Sequence, residues 1–261
     1  MVTTREPTFA ALYADPRAKL ATAEDLLASM EAAAVDVSVA LGFAWQDEGL
    51  CREHNDYLLD AARTSGGRVV PFCTLPLGAG PAAVASEAGR CLAAGARGFG
   101  ELRPENQGCD LGGPTGETLA AIAVEADVPL LFHVSEPVGH AYAGKEGLAL
   151  ASFAAFVARF PAVKTIAAHW GGGLPFFALM PEVRRAIENT CFDTAASSLL
   201  YDDTVYDRGV ALAGRERVLF GSDFPLLSQK ISRRRIEESG LDDETKHHVL
   251  GKNAASLLRL E

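Results

Sequence analysis

VPLLFHV, residues 128–134, decides the fold class of this sequence, because it is a short apolar run that closes with His133. VKTIAAH, residues 163–169, repeats the pattern one unit further along the chain. Short apolar runs between turn signals are typical of strands that are buried on both faces of a parallel sheet. The two stretches therefore predict parallel strands that end at polar residues.

The same pattern recurs along the chain and predicts seven strands. They span residues 35–41, 69–75, 96–102, 128–134, 163–169, 190–194 and 218–222. Amphipathic or alanine-rich helical stretches alternate with them, over residues 23–34, 47–63, 81–94, 117–126, 148–160, 174–187, 203–213 and 242–258. A strand, loop and helix that repeat about every 30 residues favour parallel strands joined by right-handed crossovers.

This order of elements predicts a TIM-type (β/α)8 barrel, whose usual length of about 250 residues is close to the 261 residues present. An open doubly wound sheet is the competing architecture, but residues 98–103 (GFGELR) lack the third glycine of its nucleotide-binding turn. Because only seven strands are found, the first strand of the barrel is expected to be missing. Residues 1–20 are then a loop remnant that follows it, within a single domain over residues 1–261.

Composition limits the partners of the protein. A formal net charge of −10 leaves no excess of lysine and arginine to neutralise phosphates. No apolar run approaches the roughly 20 residues that cross a bilayer, and the first residues contain no apolar signal core. We therefore expect a cytoplasmic protein with a small-molecule substrate and with neither nucleic acid nor membrane as a partner, homo-oligomerisation being left open. The five cysteines form no CxxC pair and are expected to be mostly buried, reduced thiols.

Four of the predicted strands end at residues that can bind a metal ion: Glu101, His133, His169 and Asp223. The C-terminal strand ends of a β/α barrel form its active site. Histidine, aspartate and glutamate bind zinc, manganese or iron at about 2.0 to 2.2 Å. Any one of the four could be structural, as a satisfied core histidine or a helix-capping aspartate. Four such residues at strand ends together favour a functional site.

Further residues near these strand ends are candidates for substrate binding. Arg103 could bind a substrate carboxylate in bidentate fashion, or it could form a salt bridge at the barrel mouth. His140 lies in the loop that leaves His133, and Trp170 directly follows His169. The other histidines are expected on solvated helix faces: His54, His247 and His248.

Five segments resemble those of the amidohydrolase-related family that includes the aminocarboxymuconate semialdehyde decarboxylases. They are LLFHVSEPVGH (130–140), IAAHWGGGLPF (166–176), CFDTAAS (191–197), VLFGSDFPLL (218–227) and GKNAASLL (251–258). Their order and their spacing by barrel units make the joint resemblance specific, and it extends from about residue 21 to the C-terminus.

The resemblance implies roles for the strand-end residues. His133 would be a metal ligand, Asp223 a ligand or catalytic acid/base, and His169 the histidine that polarises substrate or moves protons. Glu101 would complete the ligand set, with zinc as the expected divalent metal and manganese as the alternative. The expected activity is hydrolysis of a small, carboxylated substrate through metal-activated water. The alternatives are a non-oxidative carboxy-lyase of the same family and a metal-poor binding scaffold without activity.

The sequence departs from the family at one point. The family has an HxH pair on its first strand, and no HxH occurs in these 261 residues. A truncated chain is therefore expected, with weak or no activity, and a degenerate relative without metal is the alternative. An absent first strand would also leave a slot between strands 35–41 and 218–222, partly filled by residues 1–10.

Overall fold

Seven parallel strands form a curled sheet in the computed structural model, which describes residues 5–12, 19–145 and 147–260. The strands are β1 (Ser38–Leu41), β2 (Val69–Cys73), β3 (Gly98–Leu102), β4 (Leu130–Phe132), β7 (Thr165–Ala167), β8 (Thr190–Asp193) and β9 (Val218–Leu219). They lie in the order β1-β2-β3-β4-β7-β8-β9. A separate parallel pair joins β5 (Val134–Ser135) to β6 (Leu148–Ala149). The predicted TIM-type barrel that lacks one strand is thereby confirmed.

Helices follow the strands as the sequence predicts. Among the described residues the helical segments of four or more residues are α1 (Pro7–Leu12), α2 (Ala23–Ala33), α3 (Glu48–Thr64), α4 (Pro81–Ala93), α5 (Pro114–Ala126), α6 (Leu150–Arg159), α7 (Ala168–Gly171, a turn with left-handed φ angles), α8 (Pro181–Ala186), α9 (Ser197–Leu200), α10 (Val205–Ala213), α11 (Gln229–Glu238), α12 (Asp243–His247) and α13 (Asn253–Leu258). None of these helices is both long enough and apolar enough to span a membrane.

Several helical segments differ from the sequence prediction, and two of them, α9 and α11, lie where the sequence predicted no helix. The expected loop over residues 1–20 contains α1, which begins at Pro7, a residue whose fixed φ suits the first helical turn; residues 1–4 and 13–18 lie outside the described residues. The helix expected over 174–187 is divided into a 3-10 turn, Leu174–Phe177, and α8, which begins at Pro181. The helix expected over 242–258 contains a π-helical turn, His248–Lys252, between α12 and α13.

Alternation along the strands divides the core into two layers. Large side chains such as Phe99, Phe132 and Phe192 lie in the main cluster between the sheet and the helices. A smaller cluster of strand residues on the other face includes Phe72, together with Leu258 of α13. The main apolar core is therefore the layer that holds the helices on the sheet.

The ring of strands is open between β1 and β9, which stand at the two ends of the sheet order. Two helices, α2 and α11, pack together across this gap. Gln229 donates to Ser38 Oγ (3.0 Å) and accepts from Ser29 Oγ (2.9 Å). Arg233 donates to the carbonyl oxygens of Ala33 and Ala34 at the end of α2. The helices thus close the barrel between β1 and β9, where the ring of strands is open.

The chain before α2 contacts the loop after β1. Glu6 is buried and accepts the backbone N–H of Gln46 at 2.9 Å. Phe9 packs on Phe43 and Trp45 at centroid distances of 5.0 and 5.1 Å. The contacts of its described residues are therefore with the β1–α3 loop and, through the ion pair of Arg5 with Glu53, with α3 itself. The sequence instead placed residues 1–10 partly in the slot between the edge strands.

Two histidines expected on solvated faces are instead in the interior. His54 is partly buried and accepts a hydrogen bond from Trp45 Nε1 (2.8 Å), and His248 is buried against Asn253 Oδ1 (2.9 Å). His247 is exposed, as predicted. All five cysteines are free thiols, and three of them are buried. Helical periodicity alone did not show that Trp45 of the preceding loop covers His54, or that Asn253 of α13 contacts His248.

His54 makes stability depend on pH. Burial lowers the pKa of His54 to about 4, whereas the unfolded value is about 6.5. Between these two pH values the unfolded chain binds a proton at His54 that the folded protein does not bind. The contribution of neutral His54 to stability is therefore complete above about pH 6.5 and is lost as the pH falls towards 4. We expect the free energy of unfolding to fall by about 1 to 2 kcal/mol more between pH 7 and pH 5 in the wild type than in His54→Gln.

Urea unfolding of both proteins at the two pH values measures this difference. Glutamine retains an acceptor for the Trp45 indole but does not titrate, and so it is the matched variant. Equal falls in the two proteins would mean that His54 is not the group responsible.

Candidate metal centre and active site

The C-terminal strand ends bring three of the predicted residues together. Glu101, His133 and His169 each offer one ligand atom, and these atoms lie within 4.8 Å of one another. The two imidazole rings are 4.7 Å apart, and both histidines are buried. Within the described parts of the chain this is the group of histidine, cysteine and acidic side chains that has the spacing of a metal site.

His133 is oriented by Glu101. Its Nδ1 lies 2.9 Å from Glu101 Oε1, while its Nε2 is buried without a hydrogen-bond partner among the residues that the structure describes. A carboxylate on one ring nitrogen fixes the tautomer and leaves the other nitrogen available to a metal ion. The orphaned Nε2 and the nitrogen and oxygen donors of the cluster both fit a divalent cation such as zinc or manganese.

Charge within the cluster favours an ionised Glu101. Burial alone would raise the pKa of Glu101, but the charge and hydrogen bond of His133, with the charges of His169 and Arg103, lower it to about 2. Burial lowers the pKa of His133. Burial would also lower the pKa of His169, but the nearby carboxylates, Glu101 first, raise it. The cluster therefore combines a fixed negative charge with imidazole nitrogens.

His169 lies at the start of a strained turn. His169 and Trp170 have φ angles of 55° and 60°, and the three glycines that follow are also left-handed. For residues other than glycine this conformation costs about 1 to 2 kcal/mol each. Asp193, at the end of β8, accepts the backbone N–H of His169 at 2.9 Å and that of Ala195 at 3.0 Å. This buried carboxylate holds the turn that positions His169.

Asp193 received no role from the sequence, although it lies within the segment 191–197, one residue before the end of the predicted strand 190–194. Burial raises the pKa of Asp193 to about 6, against the opposing charge of His169. The rule that polar residues at strand ends form the site could have found it.

Asp193→Ala should destabilise the protein by about 2 to 4 kcal/mol, because it leaves two buried N–H groups without their acceptor. Asp193→Asn keeps an acceptor oxygen and should lose less than half of that. Denaturant unfolding of the three proteins provides the measurement. If the two variants lose the same stability, the two backbone hydrogen bonds do not hold the turn.

Asp223 lies beside the cluster rather than within it. Its side chain is exposed, its φ is 59°, and its charge interacts with those of His169 and Glu101. Burial of the carboxyl group, together with the negative charge of Glu101, raises the pKa of Asp223, while the charge of His169 opposes this shift. The sequence predicted Asp223 as a metal ligand or catalytic acid/base and His169 as a catalytic residue. In the structure His169, and not Asp223, belongs to the three-residue donor group.

The predicted substrate-binding residues occupy three different environments. Arg103 is buried near the cluster and donates to Gly144 O at 2.6 Å. His140 is exposed, and its ring packs near Tyr142 at 5.5 Å. Trp170 is fully buried, and its indole N–H donates to Ser197 Oγ at 2.8 Å.

The sequence predicted that Trp170 binds substrate, whereas in the structure it is a core residue. Its ring packs at 6.3 Å from that of Tyr206, and a Cβ at Gly209 of α10 would lie 2.5 Å from it. The left-handed backbone at residues 169 and 170 directs this side chain into the layer between sheet and helices. Adjacency to His169 in sequence could not show that direction.

Comparison with known protein families shows the family to which this chain belongs. The sequence profile described as amidohydrolase matches residues 3–260, and the chain belongs to the amidohydrolase family. No curated protein matches the sequence.

Three solved structures show the same fold. The 2,6-dihydroxybenzoate decarboxylase from Rhizobium is 18% identical over 96% of this chain and 95% of its own, with a TM-score of 0.77. The 5-carboxyvanillate decarboxylase from Novosphingobium aromaticivorans, complexed with manganese and 4-hydroxy-3-methoxy-5-nitrobenzoic acid, is 17% identical over 99% and 91%, with a TM-score of 0.81. A dihydroxybenzoic acid decarboxylase from Polaromonas, with bound manganese and 2-nitroresorcinol, is 17% identical over 92% and 87%, with a TM-score of 0.76.

Proposed function

We propose that this protein is a metal-dependent, non-oxidative carboxy-lyase that acts on a small aromatic carboxylate. The observation that carries the proposal is the grouping of a Glu101, His133 and His169 donor set with the Arg103 guanidinium and the Asp223 carboxyl at one end of the sheet. The similar solved structures described above are decarboxylases, which favours this reaction over the hydrolysis that the sequence favoured.

Glu101, His133 and His169 are the residues that would hold the cation. A divalent cation there would act as a Lewis acid towards a substrate oxygen. Two of the similar structures contain manganese, so manganese is the first metal to test, ahead of the zinc expected from sequence. His169 moves in this proposal from proton transfer to metal binding, because it lies within the donor group.

Arg103 and Asp223 would serve the substrate itself. Decarboxylation breaks the bond between the ring carbon and the carboxylate, leaves the electron pair on the ring carbon, and requires a proton at that carbon. The raised pKa of Asp223 and its position beside the cluster suit it to deliver that proton. The buried guanidinium of Arg103 suits a carboxylate, which it would orient before the bond breaks.

The test is incubation of the purified, Mn²⁺-loaded protein with a panel of hydroxybenzoates and related aromatic carboxylates. We expect carbon dioxide and the decarboxylated ring in equal amounts, and no turnover after removal of the metal with a chelator. Carbon dioxide release by protein that holds no metal would contradict the proposal.

Hydrolysis is the second candidate, favoured by the solvent exposure of Asp223, which could act as a general base towards water. Small amides, esters and lactones tested under the same conditions would then yield their acid products without carbon dioxide. A binding scaffold without activity would show neither reaction and would retain no metal.

A further inference from the structure

Four buried polar atoms lie without hydrogen-bond partners along one side of the donor cluster. Counting the described residues only, they are His133 Nε2, Ser135 Oγ, Glu136 Oε1 and the Tyr201 hydroxyl. A buried polar atom without a partner costs on the order of 1 to 3 kcal/mol, so several in one place indicate groups that a ligand satisfies. His133 Nε2 is accounted for by the metal site, and the other three are not.

The residues Ser135, Glu136, Tyr142 and Tyr201 form what we call the Glu136 pocket. Ser135 ends β5, directly after the segment that carries His133. The Tyr142 hydroxyl donates to Glu136 Oε2 at 2.7 Å and so fixes the carboxylate, while Oε1 is left over.

Glycines bring this pocket against the candidate active site. A Cβ at Gly147 would lie 2.8 Å from His133 Cδ2 and 3.0 Å from Ser135 Oγ. A Cβ at Gly172, in the turn after His169, would lie 3.2 Å from Glu136 N. A Cβ at Gly173 would lie 3.8 Å from the Tyr201 hydroxyl. The pocket therefore borders both histidine-bearing strand ends.

The chemistry of the pocket selects the kind of group that can occupy it. A carboxylate oxygen only accepts hydrogen bonds, so Glu136 Oε1 needs an O–H or N–H donor. Burial, followed by the charge of Glu136, raises the pKa of Tyr201, which keeps its phenol protonated. A protonated phenol can donate a hydrogen bond to the oxygen of a substrate hydroxyl group. That hydroxyl group can in turn donate a hydrogen bond to the Glu136 carboxylate.

We propose that Glu136 Oε1 and the Tyr201 hydroxyl bind a hydrogen-bond donor on the substrate ring, a hydroxyl or amino group, and so determine specificity for substituted aromatic carboxylates. This inference rests on the proposed function for the carboxylate and the ring. The pocket itself defines the substituent. An analogue without the donor leaves the buried carboxylate oxygen unpaired and is rejected for that reason.

Binding of matched ligands to the Mn²⁺-loaded protein tests the proposal without reliance on turnover. The probes are 2-, 3- and 4-hydroxybenzoate, the corresponding aminobenzoates and methoxybenzoates, and benzoate itself. We expect at least one hydroxy or amino isomer to bind about 10- to 100-fold more tightly than benzoate, as a hydrogen bond to a charged group would give. Its methoxy counterpart should bind like benzoate, because the methyl group removes the donor.

Glu136→Gln and Tyr201→Phe should each reduce that preference to within about threefold. Glu182→Gln, a substitution of the same kind on the exposed surface of α8, should retain the full preference. Hydroxy and amino isomers together show which of the two donors the pocket prefers.

The proposal is overturned if the wild type shows no preference, if methoxy compounds bind as tightly as hydroxy compounds, or if the preference survives both pocket substitutions. Failure of the proposed function has a different signature. A preference that depends on Glu136 and Tyr201 without carbon dioxide release would preserve the pocket and reject the carboxy-lyase. Carbon dioxide release without such a preference would support the carboxy-lyase and reject the role of the Glu136 pocket.

Discussion

His133→Ala should lower the affinity of the protein for Mn²⁺ by at least about 100-fold and reduce turnover by at least the same factor. The reason is that His133 presents the one cluster nitrogen that is both buried and unpartnered among the described residues, and that Glu101 fixes its ring. Metal titration followed by calorimetry, and metal content after dialysis, give the measurement. The protein should remain folded, because the substitution removes a polar ring rather than a large apolar side chain.

His247→Ala is the matched control for this substitution, since His247 is exposed on α12. It should bind metal like the wild type. Unchanged metal affinity in His133→Ala would show that the cluster is not the metal site and would remove the main support for the proposed function.

Asp223→Asn should reduce turnover by about 10²- to 10⁴-fold, the usual contribution of a general acid or base, while metal affinity stays within about threefold of the wild type. Both expectations follow from the place of Asp223 beside the donor group and from its raised pKa. Rate measurements under saturating Mn²⁺, together with the same metal titration, separate the two effects.

The alternative outcome for Asp223→Asn is informative. A loss of metal affinity equal to that of His133→Ala would make Asp223 a ligand, as the sequence predicted, and would return His169 to proton transfer. Asp243→Asn, in the exposed first turn of α12, is the matched control and should change neither property.

Strand ends were the most predictable part of the site. Apolar runs in a parallel sheet end at one common edge, so residues such as His133 and His169 could be expected to lie close together from their position in the pattern. All seven predicted strands are present in the sheet for the same reason. The roles of the residues stay predictions, because ligand binding and proton transfer depend on geometry that the pattern does not contain.

Other features depend on backbone direction and on distant partners. The left-handed turn at His169 sends Trp170 into the core, and periodicity does not report such a reversal. Glu136 is two residues beyond a predicted strand, but its partner Tyr142 and its neighbour Tyr201 belong to separate loops. His54 is covered by Trp45 from the preceding loop. In each case the deciding contact lies outside the helix or strand whose pattern was analysed.

The gap between β1 and β9 is closed by helices α2 and α11 and not by a strand. This arrangement affects how the amide hydrogens of β1 exchange with solvent. Ser38 donates its N–H to Arg68 O, directly before β2, and Gly42 donates its N–H to Phe72 O of β2 and Gly100 O of β3. By alternation, the N–H groups of Val39 and Leu41 face away from β2. Leu41 is 37% exposed. Exchange at Val39 and Leu41 therefore requires no separation of strands, whereas exchange at Ser38 requires β1 to leave β2. Alternating fast and slow deuterium uptake along β1 would mark this strand as an edge in solution.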